Sequence, residues 1–235
     1  MKGALRTALR LGRVSNLPTV WTNVLAGMAL NGASPTLALA LPVGTAMSLA
    51  YVAGMYLNDA FDRRWDAVHR PERPIPAGDI APTTVFAAGF AMLAAALGIL
   101  LAGPGGLRPF LAGLALALLI VLYDSSHKKN PIAPLVMGLC RVAVYFTAAL
   151  AAAPEVRPAV YVGASVLLVY LVALSAIARF ETRNPRLSRL VGPLIAGISL
   201  VDGAQLALLG RPRLFAVCLV AFFLTRRLQR RIAGT

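Results

Sequence analysis

The 235-residue sequence is poor in charged residues, which make up 14% of the chain against a hydrophobic share of 58%. In soluble domains about a quarter of all residues are charged, because polar side chains have to cover the surface. Cysteine is also scarce, and two cysteines exclude a disulfide-stabilised scaffold. The high apolar content excludes a disordered chain. These absences leave an integral membrane protein as the predicted class.

Long apolar runs are what the sequence does contain. Runs of about 17 to 25 apolar residues cross a hydrocarbon core as helices. We therefore predict an all-α, polytopic transmembrane bundle of about eight spans, which forms a single domain over residues 1–235. The predicted spans are Leu17–Leu30, Thr36–Leu57, Ala81–Ala102, Leu107–Leu122, Ala133–Ala153, Ala159–Ala178, Leu190–Leu209 and Leu214–Leu228.

The formal net charge of +14 comes from 23 basic and nine acidic residues. A basic face for nucleic acid is one explanation of such a charge. Eight spans, however, put both termini on one side, and most lysines and arginines fall in the connections of that side. The positive-inside rule then predicts a multi-pass membrane protein with both termini in the cytoplasm and no nucleic-acid partner. We expect the basic, amphipathic segment Met1–Arg13 to lie along the inner interface.

Five of the nine acidic residues fall in one connection, residues 58–80. If the helix of the second span continues into this connection, Asp59, Asp62 and Asp66 lie on one face, with Asn58 at its edge. Carboxylates on adjacent turns repel one another, and a bound cation relieves the repulsion. Mg²⁺ takes carboxylate oxygens together with water and substrate phosphate. The cluster therefore predicts a Mg²⁺ site for a phosphate or diphosphate, with these four residues as ligands.

The segment that follows, residues 70–78, reads RPERPIPAG. Pro71, Pro74 and Pro76 exclude a regular helix, and we expect them to hold the backbone extended. Arg73 offers the planar donor fork that suits phosphate oxygens, which makes it a candidate diphosphate contact. An ordinary solvated loop of mixed charge is the alternative interpretation.

The pattern NDxxDxxxD from Asn58, followed by RPxRPIPxG from Arg70, resembles the first aspartate-rich motif of the UbiA superfamily of intramembrane prenyltransferases. LPTVW from Leu17 is similar to the first helix of that family. The resemblance implies a helical bundle around a central cavity, capped by cytoplasmic loops that bind a prenyl diphosphate through Mg²⁺. Asp59, Asp62 and Asp66 would be the catalytic residues.

A Tyr-and-Lys element at Tyr123 is the second feature that the resemblance implies. Family members carry a lysine four residues after the tyrosine, whereas here His127 holds that position and Lys128 follows. Lys128 is a candidate diphosphate contact, with a snorkelling interfacial anchor as the alternative. Arg141 lies about halfway into the fifth predicted span, where a charge marks a functional site. We predict that Arg141 faces the cavity and contacts the substrate diphosphate or an acid.

The connection after the sixth span departs from the family pattern. A second acidic motif, DxxxD, is expected there, but this chain offers one carboxylate, Glu181, between Arg179 and Arg183. Glu181 is a candidate metal ligand, and Arg179 is a candidate cation in place of a missing metal. Asp202, the other acid within a predicted span, is a candidate for the same cavity.

Three short segments, LYD from Leu122, GLCR from Gly138 and ARFE from Ala178, resemble the EboC-type UbiA-like branch of bacteria. That likeness implies a bacterial inner membrane and an association with the export of a metabolite precursor. Two hypotheses therefore stand. In the first, the protein is a Mg²⁺-dependent enzyme that transfers a prenyl group to a lipophilic or aromatic acceptor embedded among membrane lipids. In the second, it is a non-catalytic isoprenoid carrier or export partner.

Overall fold

The computed structural model describes residues 2–126, 130, 132–179 and 185–232, and all regular structure in this part of the chain is helical. The predicted all-α class is therefore confirmed. A single 3-10 turn, Val14–Asn16, joins the first two helices. The helices are α1 (Lys2–Leu11), α2 (Leu17–Leu30), α3 (Leu37–His69), α4 (Pro82–Ala102), α5 (Leu107–Ser126), α6 (Ala133–Ala152), α7 (Pro158–Arg179), α8 (Pro185–Leu208) and α9 (Pro212–Gln229).

Helix starts follow from local sequence. Proline stands in the first turn of α2, α4, α6 and α9, at Pro18, Pro82, Pro134 and Pro212. Its fixed φ suits this position, and its missing N–H would have no partner within the helix anyway. The longest helix, α3, is instead capped by Thr36, whose hydroxyl accepts a hydrogen bond from the third backbone N–H of the helix.

Each of the eight predicted spans corresponds to one helix, α2 to α9. Six of these, α3 to α8, are long and apolar enough to cross a membrane within the described residues. The other two fall short, because α2 has 14 residues and α9 has 18 with Arg226 and Arg227 in its last turn. The second predicted span also extends far past Leu57, since α3 continues without interruption to His69.

The short helix α2 lies at the centre of the bundle and contacts α3, α6, α7, α8 and α9. One hydrophobic cluster packs α2 against α3 to α6. A second cluster packs its other side against α6 to α9. Gly27 allows the backbones of α2 and α6 to approach closely, because a Cβ at this position would lie 2.5 Å from the backbone oxygen of Tyr145 in α6. Small residues at such crossings are typical of membrane bundles.

A third, smaller cluster joins α1 to the loop after α3 and to the start of α4. Leu11, Ala60, Ile75 and Val85 form its buried core. The hydroxyl of Tyr56 also donates to the carbonyl of Ala8, at 3.3 Å. The N-terminal helix is thus packed against the end of the bundle that carries the aspartates.

The proline-rich loop, residues 70–81, contains no helix, as predicted, but the prediction of an extended backbone is wrong. The chain winds through consecutive turns, with hydrogen bonds from the N–H of Ala77 to the oxygen of Arg73, at 2.9 Å, and from that of Asp79 to Pro74, also at 2.9 Å. Prolines permit these turns because their fixed φ is compatible with a turn as well as with a strand. The turns fold the loop back over the end of α3.

The close contact at Gly27 predicts the effect of a methyl group there. In Gly27→Ala the new Cβ would lie 2.5 Å from the oxygen and 2.9 Å from the Cα of Tyr145, both backbone atoms that cannot move aside. We expect the free energy of unfolding to fall by about 1–3 kcal/mol, measured as a lower thermal unfolding midpoint in detergent. Gly98→Ala is the control, because nothing lies within 4 Å of its new Cβ. Equal midpoints in the two variants would contradict this packing.

Candidate functional site

The aspartates lie on the last turns of α3, because this helix continues past the predicted end of the second span at Leu57. Asp59 and Asp66 are buried, and Asp62 is partly exposed. The spacing of three, four and seven residues places all three on one side of the helix. The loop after α3 turns back over this side and brings Arg73 to it.

Arg73 bridges two of the carboxylates. Its Nη1 lies 3.0 Å from Oδ1 of Asp59 and 2.8 Å from Oδ2 of Asp66. The Asp66 side chain is 1% exposed, and burial of a carboxylate is strongly unfavourable without a paired cation. The repulsion that the sequence predicts within the cluster is therefore relieved here by a guanidinium group.

Arg13 provides a second cation, which sequence reasoning counted only as part of the topology signal. Its Nη2 lies 3.0 Å from Oδ1 of Asp59. The residue has φ 41° and ψ 45°, and it is the one non-glycine residue with positive φ among those described. A left-handed conformation costs a non-glycine residue about 1–2 kcal/mol, which the ion pair helps to offset. No sequence signal separated Arg13 from the other basic residues near the N-terminus.

Asp124 is another member that sequence reasoning missed. Its Oδ1 accepts a hydrogen bond from Nδ2 of Asn58, at 3.1 Å. The predicted fourth span ended at Leu122, but α5 continues to Ser126 and leaves Asp124 buried within the helix. The rule that an acid inside a span marks a functional site would have selected Asp124, had the end of this helix been predicted correctly.

A cavity of about 230 Å³ runs between α2, α3, α5, α6, α7 and α8. Most of its lining is aliphatic or sulfur-containing, with a few polar residues among them. Arg13, Asn58 and Asp124 lie in its wall beside the aspartates. The central cavity expected from the family resemblance is therefore present, and one part of it adjoins the carboxylate cluster.

Arg141 lies in the wall of the same cavity, as predicted. Its Nη1 donates to Oδ1 of Asn23, at 3.0 Å, and its guanidinium faces the ring of Tyr51 at 5.2 Å. No hydrogen bond or ion pair of the described residues joins it to the aspartates of α3. Asp202 was a candidate for the cavity, but it is fully buried behind the wall, where it accepts hydrogen bonds from Asn23 and Tyr145.

The predicted Mg²⁺ ligands are Asn58, Asp59, Asp62, Asp66 and Glu181. Within the described part of the chain, no three acidic, histidine or cysteine side chains converge on one metal position. The residue types nevertheless suit Mg²⁺, which prefers carboxylate and amide oxygens. Oδ1 of Asp66 is buried without a hydrogen-bond partner among the described residues. This oxygen is thus available to a metal, while arginines hold Oδ2 of the same carboxylate and Oδ1 of Asp59.

Two of the predicted residues, Lys128 and Glu181, lie outside the described residues. Arg179 ends α7, and its side chain also lies outside the described part. Their roles as diphosphate contacts and metal ligand stay predictions.

The UbiA prenyltransferase family matches residues 17–224 of the chain. Among curated relatives, the digeranylgeranylglyceryl phosphate synthase of Ignicoccus hospitalis is 38% identical over 130 residues, which cover 54% of this chain and 41% of that protein. The synthase of the same name from Methanopyrus kandleri is 34% identical over 170 residues, 72% of this chain and 61% of that protein. The chain thus spans about half the length of the curated relatives that it matches.

Solved structures show the same fold. A structure concerned with digeranylgeranylglyceryl phosphate synthase in membranes aligns with a TM-score of 0.67 at 19% identity. The alignment covers 98% of this chain and 88% of the chain in that structure. A UbiA homolog from Archaeoglobus fulgidus, bound to GPP and Mg²⁺, aligns with a TM-score of 0.63 at 19% identity, over 92% of this chain and 86% of its own.

The position of Arg73 between two carboxylates predicts a coupled effect on stability and metal binding. In Arg73→Gln, Asp59 and Asp66 lose their shared cation, and we expect the free energy of unfolding to fall by roughly 3 kcal/mol. Mg²⁺ should restore part of this loss, because it can replace the missing positive charge. The measurement is the thermal unfolding midpoint with and without Mg²⁺.

Arg64→Gln is the matched control, since Arg64 is an exposed arginine of α3, the helix that carries the aspartates. Its midpoint should stay within about a degree of the parent protein, with no added response to Mg²⁺. The bridging role of Arg73 would be refuted if both variants unfolded at the same temperature.

Proposed function

The chain belongs to the UbiA prenyltransferase family, and on this premise we propose that it transfers a prenyl group from a prenyl diphosphate to a lipophilic or aromatic acceptor within the membrane. One observation carries the proposal. Arg13 lies in the wall of the apolar cavity and is also ion-paired with Asp59 of the carboxylate cluster. A diphosphate bound at this cluster can therefore extend its prenyl chain directly into the cavity.

The proposed donor site consists of the α3 carboxylates and the basic residues around them. Asp59, Asp62 and Asp66, with Asn58, would hold Mg²⁺, which supplies positive charge to the diphosphate. The bond between the allylic carbon and the diphosphate oxygen breaks during transfer, and negative charge accumulates on that oxygen. Arginine donors already in place stabilise such charge without reorganisation. Arg73 and Arg13 are the described donors at this cluster, and Lys128 and Arg179 are further predicted donors. Arg141 was also predicted to contact the diphosphate, but it has no hydrogen bond or ion pair with these aspartates among the described residues.

The cavity would protect the cation formed on the prenyl chain. Its lining is largely apolar and comes from six helices, which suits a hydrocarbon chain. Exclusion of water prevents hydrolysis of an allylic cation before the acceptor captures it. The acceptor would approach from the membrane through the same space.

The chain is a multi-pass membrane protein. We propose that both termini lie in the cytoplasm, which the distribution of basic residues supports. The predicted bacterial inner membrane and the EboC-type branch rest on three short sequence segments. The relatives named above are archaeal digeranylgeranylglyceryl phosphate synthases, so the narrower affiliation stays a prediction.

A carrier that binds an isoprenoid without transferring it is the second candidate. The observation that favours it is the single carboxylate, Glu181, where the family pattern has two acids. A carrier would bind a prenyl diphosphate but leave its diphosphate bond intact.

Asp59→Asn and Asp62→Asn test the enzyme directly. Each change removes a negative charge from the proposed metal site, and we expect Mg²⁺-dependent diphosphate release to fall by at least about a hundredfold. The measurement is diphosphate release by the purified protein in lipid nanodiscs, with a series of prenyl diphosphates and a host lipid extract as the acceptor pool.

Asp79→Asn is the control, because Asp79 is an exposed acid in the adjacent loop, and it should release diphosphate at the parent rate. Wild-type rates in both cluster variants would refute the assignment of these aspartates. A parent protein that binds prenyl diphosphate but releases none would establish the carrier instead.

A further inference from the structure

We propose that Asp124 is a positioning residue for the metal site: it fixes the amide of Asn58 so that the carbonyl oxygen of this amide is kept for Mg²⁺. In this role Asp124 acts through Asn58 and does not coordinate the metal. The inference rests on the proposed binding of Mg²⁺ by the α3 cluster, and it adds to that site a residue from a different helix.

The contact between Asn58 and Asp124 is built into the packing of α3 against α5. The two helices run in the same direction, because α4 returns the chain between them. Gly54 of α3 faces Ile120 of α5, and a Cβ on Gly54 would lie 3.3 Å from Cγ2 of Ile120. Asn58 and Asp124 each lie one turn further along their helix, on the same face. Close packing at Gly54 therefore brings the two polar side chains together.

The hydrogen bond between these side chains decides which way the amide is turned. Nδ2 of Asn58 donates to Oδ1 of Asp124, at 3.1 Å. A carboxylate can only accept hydrogen bonds, so the amide has to present its nitrogen to Asp124. The oxygen, on the other side of the same planar group, is then turned away from α5. A serine or an asparagine at position 124 could also donate, and it would leave both orientations of the amide open.

The oxygen of this amide is available to a cation. Among the described residues, Oδ1 of Asn58 accepts no hydrogen bond. Asp62 lies one turn after Asn58 on the same face of α3. Oδ1 of Asp66, two turns after Asn58, is also buried without a hydrogen-bond partner within the described part of the chain. Amide and carboxylate oxygens are ligands that suit Mg²⁺, and one of each is left open on this helix.

A carboxylate is a costly means of joining two helices. Asp124 is 5% exposed, it belongs to an apolar span, and together with Asn58 it lines the central cavity. A neutral acceptor would join α3 and α5 without the cost of a buried charge. The property that only the carboxylate adds is a fixed direction of the hydrogen bond. Groups that orient metal ligands in this way have a large effect, because their loss weakens metal binding by about 10- to 100-fold.

Two substitutions that remove the same charge separate positioning from charge. Asp124→Asn keeps an acceptor for the Asn58 amide, whereas Asp124→Leu is of similar size and has none. The measurement is the dissociation constant of Mg²⁺ alone, by calorimetry on the full chain in phosphatidylcholine nanodiscs. We expect Asp124→Asn to weaken Mg²⁺ binding by at most about threefold. Asp124→Leu should weaken it by about 10- to 100-fold.

A second substitution at Asn58 tests whether orientation is what Asp124→Leu removes. A carboxylate presents an oxygen whichever way it rotates, so Asn58→Asp makes positioning unnecessary. The double variant Asn58→Asp/Asp124→Leu has the net charge of the parent protein, and it should bind Mg²⁺ within about threefold of the parent. If Asp124→Leu distorted the site instead, the second substitution would not restore binding.

Two further variants are controls. Asp124→Ala removes the acceptor without adding bulk and should match Asp124→Leu, and thermal unfolding midpoints confirm that each variant is folded. Asp79→Asn removes a charge from an exposed acid of the adjacent loop, and its affinity for Mg²⁺ should stay within about twofold of the parent.

The proposal is overturned if Asp124→Asn and Asp124→Leu weaken Mg²⁺ binding equally, because Asp124 would then act by its charge or coordinate the metal itself. It is also overturned if both variants bind Mg²⁺ like the parent, if Asn58→Asp fails to restore binding, or if the parent binds no Mg²⁺. No prenyl diphosphate and no turnover enter this measurement. Failure of the positioning role is therefore distinguishable from failure of prenyl transfer, which diphosphate release reports.

Discussion

The pairing of carboxylates with guanidinium groups at one end of the bundle is the interaction on which the site depends. Arg73 reaches Asp59 and Asp66 only because its loop turns back over the end of α3. Arg13 reaches Asp59 only because its own left-handed backbone conformation redirects the chain between α1 and α2. Both segments also pack into the small cluster around Leu11 and Ile75. Electrostatic pairing and apolar packing thus hold the same two segments over the aspartates.

A second constraint is that α2 is surrounded by other helices and carries polar side chains that must be satisfied. Asn31, just past its end, donates to the carbonyls of Ala149 and Glu155 and accepts from the N–H of Arg157. Asn16, just before its start, accepts from Nε2 of Gln229 in α9. Interhelical hydrogen bonds of this kind stabilise membrane bundles by about 0.6–2 kcal/mol each. A helix of 14 residues is therefore fixed at both ends and, through Asn23, near its middle.

The helices and the aspartate face could be predicted from sequence because each depends on local spacing alone. Apolar runs gave eight helices, and the spacing of Asp59, Asp62 and Asp66 gave their common face. The turns of residues 70–81 could not be predicted, because proline permits both a turn and an extended chain and tertiary packing decides between them. The role of Arg13 depends on a contact with a residue 46 positions away. The placement of Asp202 behind the cavity wall likewise depends on the rotation of α8, which its sequence does not determine.

The two kinds of arginine in this protein differ in what lies next to them. Arg73 touches carboxylates directly, so its charge is cancelled at short range, whereas an amide separates Arg141 from Asp202. Coulomb attraction weakens with distance, so the amide leaves more of the Arg141 charge available to the cavity. An aspartate in place of Asn23 would cancel that charge and would also place two carboxylates within about 3 Å, which is unfavourable in an apolar interior. An asparagine at this position orients the arginine, satisfies the buried acid and preserves the positive charge at the cavity wall.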